Sequence, residues 1–357
     1  MQKQQIITVV NTVSPTSMPI NEFLLYRRKN YGEEGSVLTI SPIKSEHNEL
    51  FKNLKVLPFK KNRKEFMSYL WNNSDKILHL HQPKSALLVT IITLLMPRRF
   101  KRITTVHNNF EKFKMEVRIT ILFNAFFSDQ ITFVGQSSYD SLPSFFKKLL
   151  KHKCSPITNG VDISRVDEFL ADKEIKEKNN TKVELIYIGK LHKQKNHEYL
   201  VNLMSKLSDQ YHLTIVGEGE DRGKITEEIN RLDLMDRITI TGIIPREKVY
   251  ELLLSSDIFV STALWEGMPI GVLEAMSCYL PVVLSKIPPH MEIQSKSATN
   301  FICNSTQDYL NMIEKLSALS SKERLQIGKS SRKTVEENFI LSIMHTKYDK
   351  VYSELSS

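Results

Sequence analysis

Two carboxylates, Glu266 and Glu274, stand eight positions apart on either side of a short turn, Gly267-Met268-Pro269-Ile270-Gly271. A carboxylate accepts hydrogen bonds from paired hydroxyls, so two of them around one turn suit a ligand rich in hydroxyl groups. Lys190 and Lys195 flank a second loop, directly behind Gly189. Ammonium groups in a loop after a strand suit phosphate, which they meet as point charges rather than with a bidentate fork. His107 closes the run Thr104-Thr105-Val106, and His81 closes Ile77-Leu78-His79-Leu80. Each imidazole can bond a ligand or serve structure, and at a strand end the structural use is the commoner. Taken alone, the Glu pair also reads as one surface and one helix carboxylate with no joint role.

The elements around these residues favour a site. Ile258-Phe259-Val260 before the turn and Pro281-Val282-Val283-Leu284 after it read as buried parallel strands. Between them a helix can begin near Pro269 and Gly271 and bury Leu273, Ala275 and Met276. Its free N–H groups then open between the two carboxylates at the mouth of a sheet crevice. Upstream, Val183 to Ile188 forms a strand ending in Gly189, and Leu213 to Val216 forms the next. A third strand, Ile238 to Thr241, leads into the turn Gly242-Ile243-Ile244-Pro245. Gly217-Glu218-Gly219 does not follow the first strand of its domain, and its acidic neighbours repel a pyrophosphate, which argues against a nicotinamide dinucleotide.

The front half alternates strands and helices. Strands are predicted at Ile6–Val10, Val37–Ile40, Lys76–Leu80, Arg102–Val106 and Gln130–Val134, with helices such as Asn21–Lys29, Asn62–Trp71 and Phe110–Phe127 between them. That order predicts a second parallel sheet with right-handed crossovers. A length of 357 residues allows two such domains. The boundaries read as 1–162, a charged linker at 163–181, a second domain at 182–337 and closing helical residues 338–357.

Three scattered cysteines, Cys154, Cys278 and Cys303, without metal-ligand spacing, point to a reducing compartment and to no metal site. The first apolar run is too short for a secretory signal, and no segment is long enough to cross a bilayer. Residues 1–160 carry 24 Lys/Arg against 11 Asp/Glu, whereas the remainder carries 25 against 29. A basic front half calls for an anionic partner. Basic residues interleave with Phe113, Ile119, Leu122 and Phe126, and again in Phe145-Phe146-Lys147-Lys148-Leu149-Leu150-Lys151, which suits an anionic membrane surface better than nucleic acid. A merely solvated charged face explains the same pattern. Ser85 to Met96 reads first as a buried crossover helix and second as a membrane contact.

The stretch Glu266 to Val283, with Glu274-Ala275-Met276 after the turn and Pro281-Val282-Val283 as the next strand, resembles the donor-site motif of family-4 retaining glycosyltransferases. That resemblance implies an α/β GT-B fold, two Rossmann-like domains whose parallel sheets face a cleft. It also implies a nucleotide-diphosphate sugar, UDP-linked foremost, as donor, a lipid-linked or saccharide acceptor, no cofactor and no metal. Lys190 and Lys195 then grip the diphosphate beside Gly189, Lys190 standing where the family has Arg and Asn196 where it has Gly. Glu274 takes the ribose, the turn at Ile243 lies over the nucleobase, and Glu266 with Met268, Pro269, Ile270 and Gly271 surrounds the sugar. His107 resembles the family's active-site His, Pro288 to Glu292 its loop ending in Glu, and Asn159-Gly160-Val161-Asp162 its domain-joining turn; the last helix is then expected to cross back to the first domain. The loop Asn11 to Pro19 departs from the family in lacking glycine, which removes close backbone approach there. The implied setting is bacterial O-antigen, capsule or exopolysaccharide assembly at the cytoplasmic face of the plasma membrane. A catalytically silent sugar-nucleotide-binding subunit, a GT-B nucleotide-sugar epimerase and a basic adaptor are the other readings.

Overall fold

The apolar runs marked by the sequence form two all-parallel sheets in the computed structural model, which describes every residue except 1–5, 14–19, 22, 25, 28–35, 43–54, 172–181, 298, 300 and 357. The first sheet contains β1 (Ile6–Val10), β2 (Ser36–Thr39), β3 (Lys55–Pro58), β4 (Ile77–Leu80), β5 (Lys101–Val106), β6 (Gln130–Phe133) and β7 (Cys154–Pro156), in the order β3-β2-β1-β4-β5-β6-β7. The second contains β8 (Val183–Ile188), β9 (Tyr211–Val216), β10 (Ile238–Gly242), β11 (Ile258–Ser261), β12 (Val282–Ser285) and β13 (Phe301–Cys303), ordered β10-β9-β8-β11-β12-β13. Both are doubly wound. Strand order reverses between β1 and β4 in one and between β8 and β11 in the other, and such switch points are where ligands gather.

The central strands β1, β2, β4 and β11 are buried at every position, as both-faced packing requires. The sequence reading missed β3, β7 and β13. Each is an edge strand of three or four residues that is not fully buried, shorter than the apolar run that marks a central strand. The part of the glycine-free loop at residues 14–19 lies outside the described residues, as do residues 28–29 of the helix expected at 21–29.

Two compact units follow from the contacts, residues 1–159 with 341–357 and residues 160–340. The helix Leu341–Ser356 belongs to the first unit, where Leu341, Met344, Tyr348 and Tyr352 pack with Ile6, Ile77 and Ile103. Its Tyr352 hydroxyl bonds His79 Nδ1 at 2.7 Å, and His79 Nε2 bonds Thr105 Oγ1 at 2.7 Å. The opposite face receives the helix Pro83–Leu94, through Ala86 and Val89. That helix is buried on one side while Ile91 and Leu94 are exposed on the other.

The stretch expected to be a linker begins as a helix, Ile163–Leu170, capped by Asp162 and holding Val166 buried. Arg332 Nη2 bonds Asp167 at 2.7 and 2.9 Å and its Nη1 bonds the Ser277 carbonyl at 2.9 Å, which makes this helix part of the second unit. Residues 172–181 lie outside the described residues. In the helix Ser144–Leu150, Phe145 is exposed but Leu150 is buried against Phe133 and Leu142, so Leu150 does not join an outward apolar face.

Candidate active site

The site in the second unit is built on two loops at the carboxyl ends of β8 and β11. After β8 the chain passes Gly189 and exposed Lys190 into a short 3-10 turn, Lys193–Lys195. Asn196 then adopts the left-handed conformation, φ 56° and ψ 44°. Asn is the residue other than Gly that enters this region most readily, so Asn196 can stand where glycine is usual without changing the path. The helix His197–Met204 starts directly from it.

Two further glycines let this loop lie close to its neighbour. Gly217 has φ +149°, and a Cβ there would meet the Gly189 carbonyl oxygen at 2.0 Å; one on Gly219 would meet that of Leu191 at 2.1 Å. The Gly217-Glu218-Gly219 turn thus serves packing of the 189–191 loop.

The loop after β11 is tied to the first one. Thr262 Oγ1 donates to the Asn196 carbonyl at 3.0 Å, and Leu264 N–H donates to the Gln194 carbonyl at 2.9 Å. Glu266, only 5% exposed, receives Lys195 Nζ on one oxygen and Gln194 Nε2 at 3.0 Å on the other. Lys195 is itself four-fifths buried, its side chain 20% exposed, rather than free in an open loop.

From Glu266 the chain buries Met268 and Pro269 and enters the helix Ile270–Ser277, whose N-terminus no side chain caps. A Cβ on Gly271 would lie 3.0 Å from the Ile188 carbonyl oxygen, so glycine lets this helix end settle at the tip of β8. The uncapped N–H groups and the partial positive charge of the helix end therefore open at the switch point. One turn on, Glu274 is 6% exposed and ion-paired with Arg246. Arg246 begins the helix Arg246–Ser255 directly after the turn at Ile243, which is 68% exposed, so the pair links that turn to Glu274.

Gln194 and Arg246 were not among the residues singled out from the sequence. A signal existed for Arg246, since a cation in the first turn of a helix opposes the macrodipole and asks for another partner. Gln194 carried none beyond its place beside Lys195. Pro288 to Glu292, expected as a loop, lies in the helix Pro288–Gln294, because Pro288 and Pro289 are tolerated in a first helical turn; within it His290 is fully buried and donates from Nδ1 to the Ser285 carbonyl at 2.8 Å. Burial lowers it to about 4, with Lys195 adding to the effect, so it is neutral.

His107 belongs to the first unit. Its Nε2 lies 3.1 Å from His81 Nδ1, and burial lowers its pKa to about 4. It is a neutral hydrogen-bonding group. Burial raises the Cys154 thiol to about 11, Cys303 to about 12 and Cys278 further, which leaves no thiolate nucleophile among them. Among the described residues no group of three or more His, Cys, Asp or Glu could hold a metal ion, and no helix is long and apolar enough to cross a membrane.

Comparison with known proteins bears on the family and the fold. Residues 168–334 match the family model for glycosyl transferases group 1. The chain is 28% identical over 255 residues to an uncharacterized glycosyltransferase of Methanocaldococcus jannaschii, covering 66% of this chain and 62% of that protein. It is 25% identical over 226 residues to the amylovoran biosynthesis glycosyltransferase of Erwinia amylovora, covering 61% of each. It therefore spans less than two thirds of either relative. Among solved structures, Anabaena HepE in complex with UDP and glucose superposes with a TM-score of 0.80 at 14% identity, over 98% of this chain and 100% of that one. The fold is GT-B, with two Rossmann-like domains.

Proposed function

We propose that the chain is a retaining glycosyltransferase that moves a hexosyl group from a nucleotide diphosphate, UDP foremost, to a lipid-linked or saccharide acceptor. The observation that carries this reading is the Lys195–Glu266 pair beside the uncapped start of the helix Ile270–Ser277. It places a cation, a carboxylate and free helix N–H groups together at a switch point, the combination a sugar diphosphate requires.

In the proposed reaction the bond from the sugar's anomeric carbon to the diphosphate oxygen breaks, and its electron pair leaves with the diphosphate. The acceptor hydroxyl oxygen bonds that carbon on the same face, and its proton passes to the departing phosphate. Lys190, Lys195 and the backbone N–H groups of Ile270 and Gly271 meet the growing charge without a metal or cofactor. A preorganised donor of this kind contributes about 3 kcal/mol, roughly a hundredfold in rate. Gly189 keeps the backbone open to the diphosphate, and Glu274 accepts from the ribose diol. Ile243 offers an exposed apolar surface to the base. Glu266 and the Met268 backbone take sugar hydroxyls, Pro269 shapes the turn, and neutral His107 offers a hydrogen bond rather than a charge.

HepE was crystallised with UDP and glucose, which supports the donor class, and the Erwinia relative acts in amylovoran biosynthesis, which supports a role in surface polysaccharides such as O-antigen, capsule or exopolysaccharide. The basic first unit, with exposed Trp71, Leu95, Phe126 and Phe145, suits peripheral attachment at the cytoplasmic face of an anionic plasma membrane.

Incubation with a panel of nucleotide sugars, with and without lipid-linked acceptor and with and without EDTA, tests the reading. Acceptor-stimulated release of nucleotide diphosphate that survives EDTA is the expected result. Absence of release with every donor, or an absolute need for manganese or magnesium, would overturn it.

A further inference from the structure

Arg246 stands at the first position of the helix Arg246–Ser255, directly behind Pro245. A cation there opposes the helix dipole, so its own helix gains nothing from it. The side chain is nonetheless held at two points. Nε donates to the Tyr250 hydroxyl at 3.0 Å, one helical turn on, and the guanidinium lies 5.5 Å from the centre of that ring. Nη2 donates to Glu274 Oε1 on the helix Ile270–Ser277.

Tyr250 is a fixed anchor. It is 3% exposed, and its ring packs on Phe169 with centroids 5.9 Å apart. A planar guanidinium tethered at Nε to a buried residue has little freedom left for Nη2, and the direction of Nη2 sets the Glu274 carboxylate. A glutamate side chain turns about three bonds. A carboxylate that is to meet two hydroxyls gains affinity when all three are fixed before the ligand arrives.

Its location separates this pair from the structural arginines of the same unit. Arg332 and Arg324 also donate to backbone carbonyls, those of Ser277 and Ser317, and so tie helices to their neighbours. The Arg332 side chain is 4% exposed and that of Arg324 13%. The Arg246 side chain is 24% exposed, and it follows the turn whose Ile243 projects into solvent. It joins that turn to a carboxylate on another helix.

We infer that Arg246 is a positioning residue for the donor. It holds Glu274 in the orientation that accepts both ribose hydroxyls, and the site thereby selects a ribonucleotide-linked sugar over a 2′-deoxyribonucleotide-linked one. The inference rests on the transferase reading, in which Glu274 takes the ribose. Without the 2′-hydroxyl one charge-assisted bond is lost and nothing replaces it. Arg246 acts through Glu274 and not on the transferred sugar.

Calorimetric titration of the full chain with UDP, 2′-deoxy-UDP and 2′,3′-dideoxy-UDP tests this. The unaltered chain is expected to bind UDP about tenfold more tightly than 2′-deoxy-UDP, which corresponds to about 1.4 kcal/mol, and the dideoxy nucleotide more weakly again. Two variants conserve the charge of the site. Arg246→Lys keeps the cation and loses the planar fork, and Tyr250→Phe keeps the ring and loses the anchor of Nε. Each is expected to shrink the preference for UDP over 2′-deoxy-UDP to about threefold or less, while dideoxy binding, which owes nothing to the diol, stays within about twofold. Tyr250→Phe decides the matter if Arg246→Lys melts early.

An equal loss for all three nucleotides would make Arg246 a structural or phosphate-binding residue and overturn the inference. So would a preference unchanged in both variants, or tighter UDP binding by either. Glu274→Gln separates the inference from the reading beneath it. If that variant loses the ribose preference and neither of the others does, only the role of Arg246 falls. If the unaltered chain binds no UDP or shows no ribose preference, the assignment of Glu274 falls and this inference with it.

Discussion

Lys195 is ion-paired with Glu266 across two loops that follow adjacent strands of one sheet, and Gln194 holds the second oxygen of the same carboxylate at 3.0 Å. The ammonium is therefore positioned before any donor arrives. The same geometry gives Lys195 a structural duty, because Glu266 is nearly buried and depends on it for charge balance.

Lys195→Ala should abolish most turnover, by roughly 10²–10³ in kcat, and should also lower stability by about 1–3 kcal/mol, because a buried carboxylate loses its partner. The pair Lys195→Met with Glu266→Gln should recover most of the stability and none of the turnover. Urea denaturation beside single-turnover kinetics reads both. A double variant that regains activity would remove Lys195 from catalysis.

Glu274→Gln should weaken UDP binding by about tenfold or more, since the charge-assisted bonds to the ribose diol become neutral ones. Calorimetric titration with UDP measures the effect, and unchanged affinity would place Glu274 outside the donor site.

Acid should destabilise the fold before the carboxylates titrate. Burial holds His107 and His290 at about 4 and His197 and His345 at about 3, whereas in the unfolded chain each returns to about 6.5. Between those values the unfolded state binds protons that the folded state refuses. Stability is therefore full above pH 6.5 and falls as pH drops toward 4, by up to about 1.4 kcal/mol per pH unit for each histidine. Chemical denaturation at pH 7.5 and 5.0 should show the midpoint falling, and an unchanged midpoint would mean that these rings are not buried as neutral groups.

Binding to acidic-lipid vesicles should fade with salt, yet incompletely, because Phe145 and Leu149 are exposed beside Lys148 and Lys151. Neutralising Lys147, Lys148 and Lys151 together should lower co-sedimentation and spare transfer to a soluble acceptor. Equal co-sedimentation with neutral and acidic vesicles would reduce the basic face to a solvated one.

What the sequence determined by itself is local. Ile258 to Val260, the turn around Pro269, the helix through Leu273 and Met276 and the strand from Val282 are legible because strand runs, turn chemistry and helical period are written in adjacent residues. Edge strands β3, β7 and β13 are too short to leave such a pattern, whereas the helix Ile163–Leu170 does carry one, with Asp162 as its cap and Ile163, Val166, Phe169 and Leu170 at helical spacing, inside a stretch whose charge otherwise reads as a linker. The partners were decided only by the tertiary structure. Gln194 reaches Glu266 across 72 positions and Arg246 reaches Glu274 across 28, because parallel strands and their crossovers bring the loops together. His81 and His107 meet because β4 and β5 pair in parallel with Leu80 opposite Thr104, a register that no window of adjacent residues contains. Hydrogen bonds and ion pairs depend on distance in space, and only the order and register of the sheets set that distance.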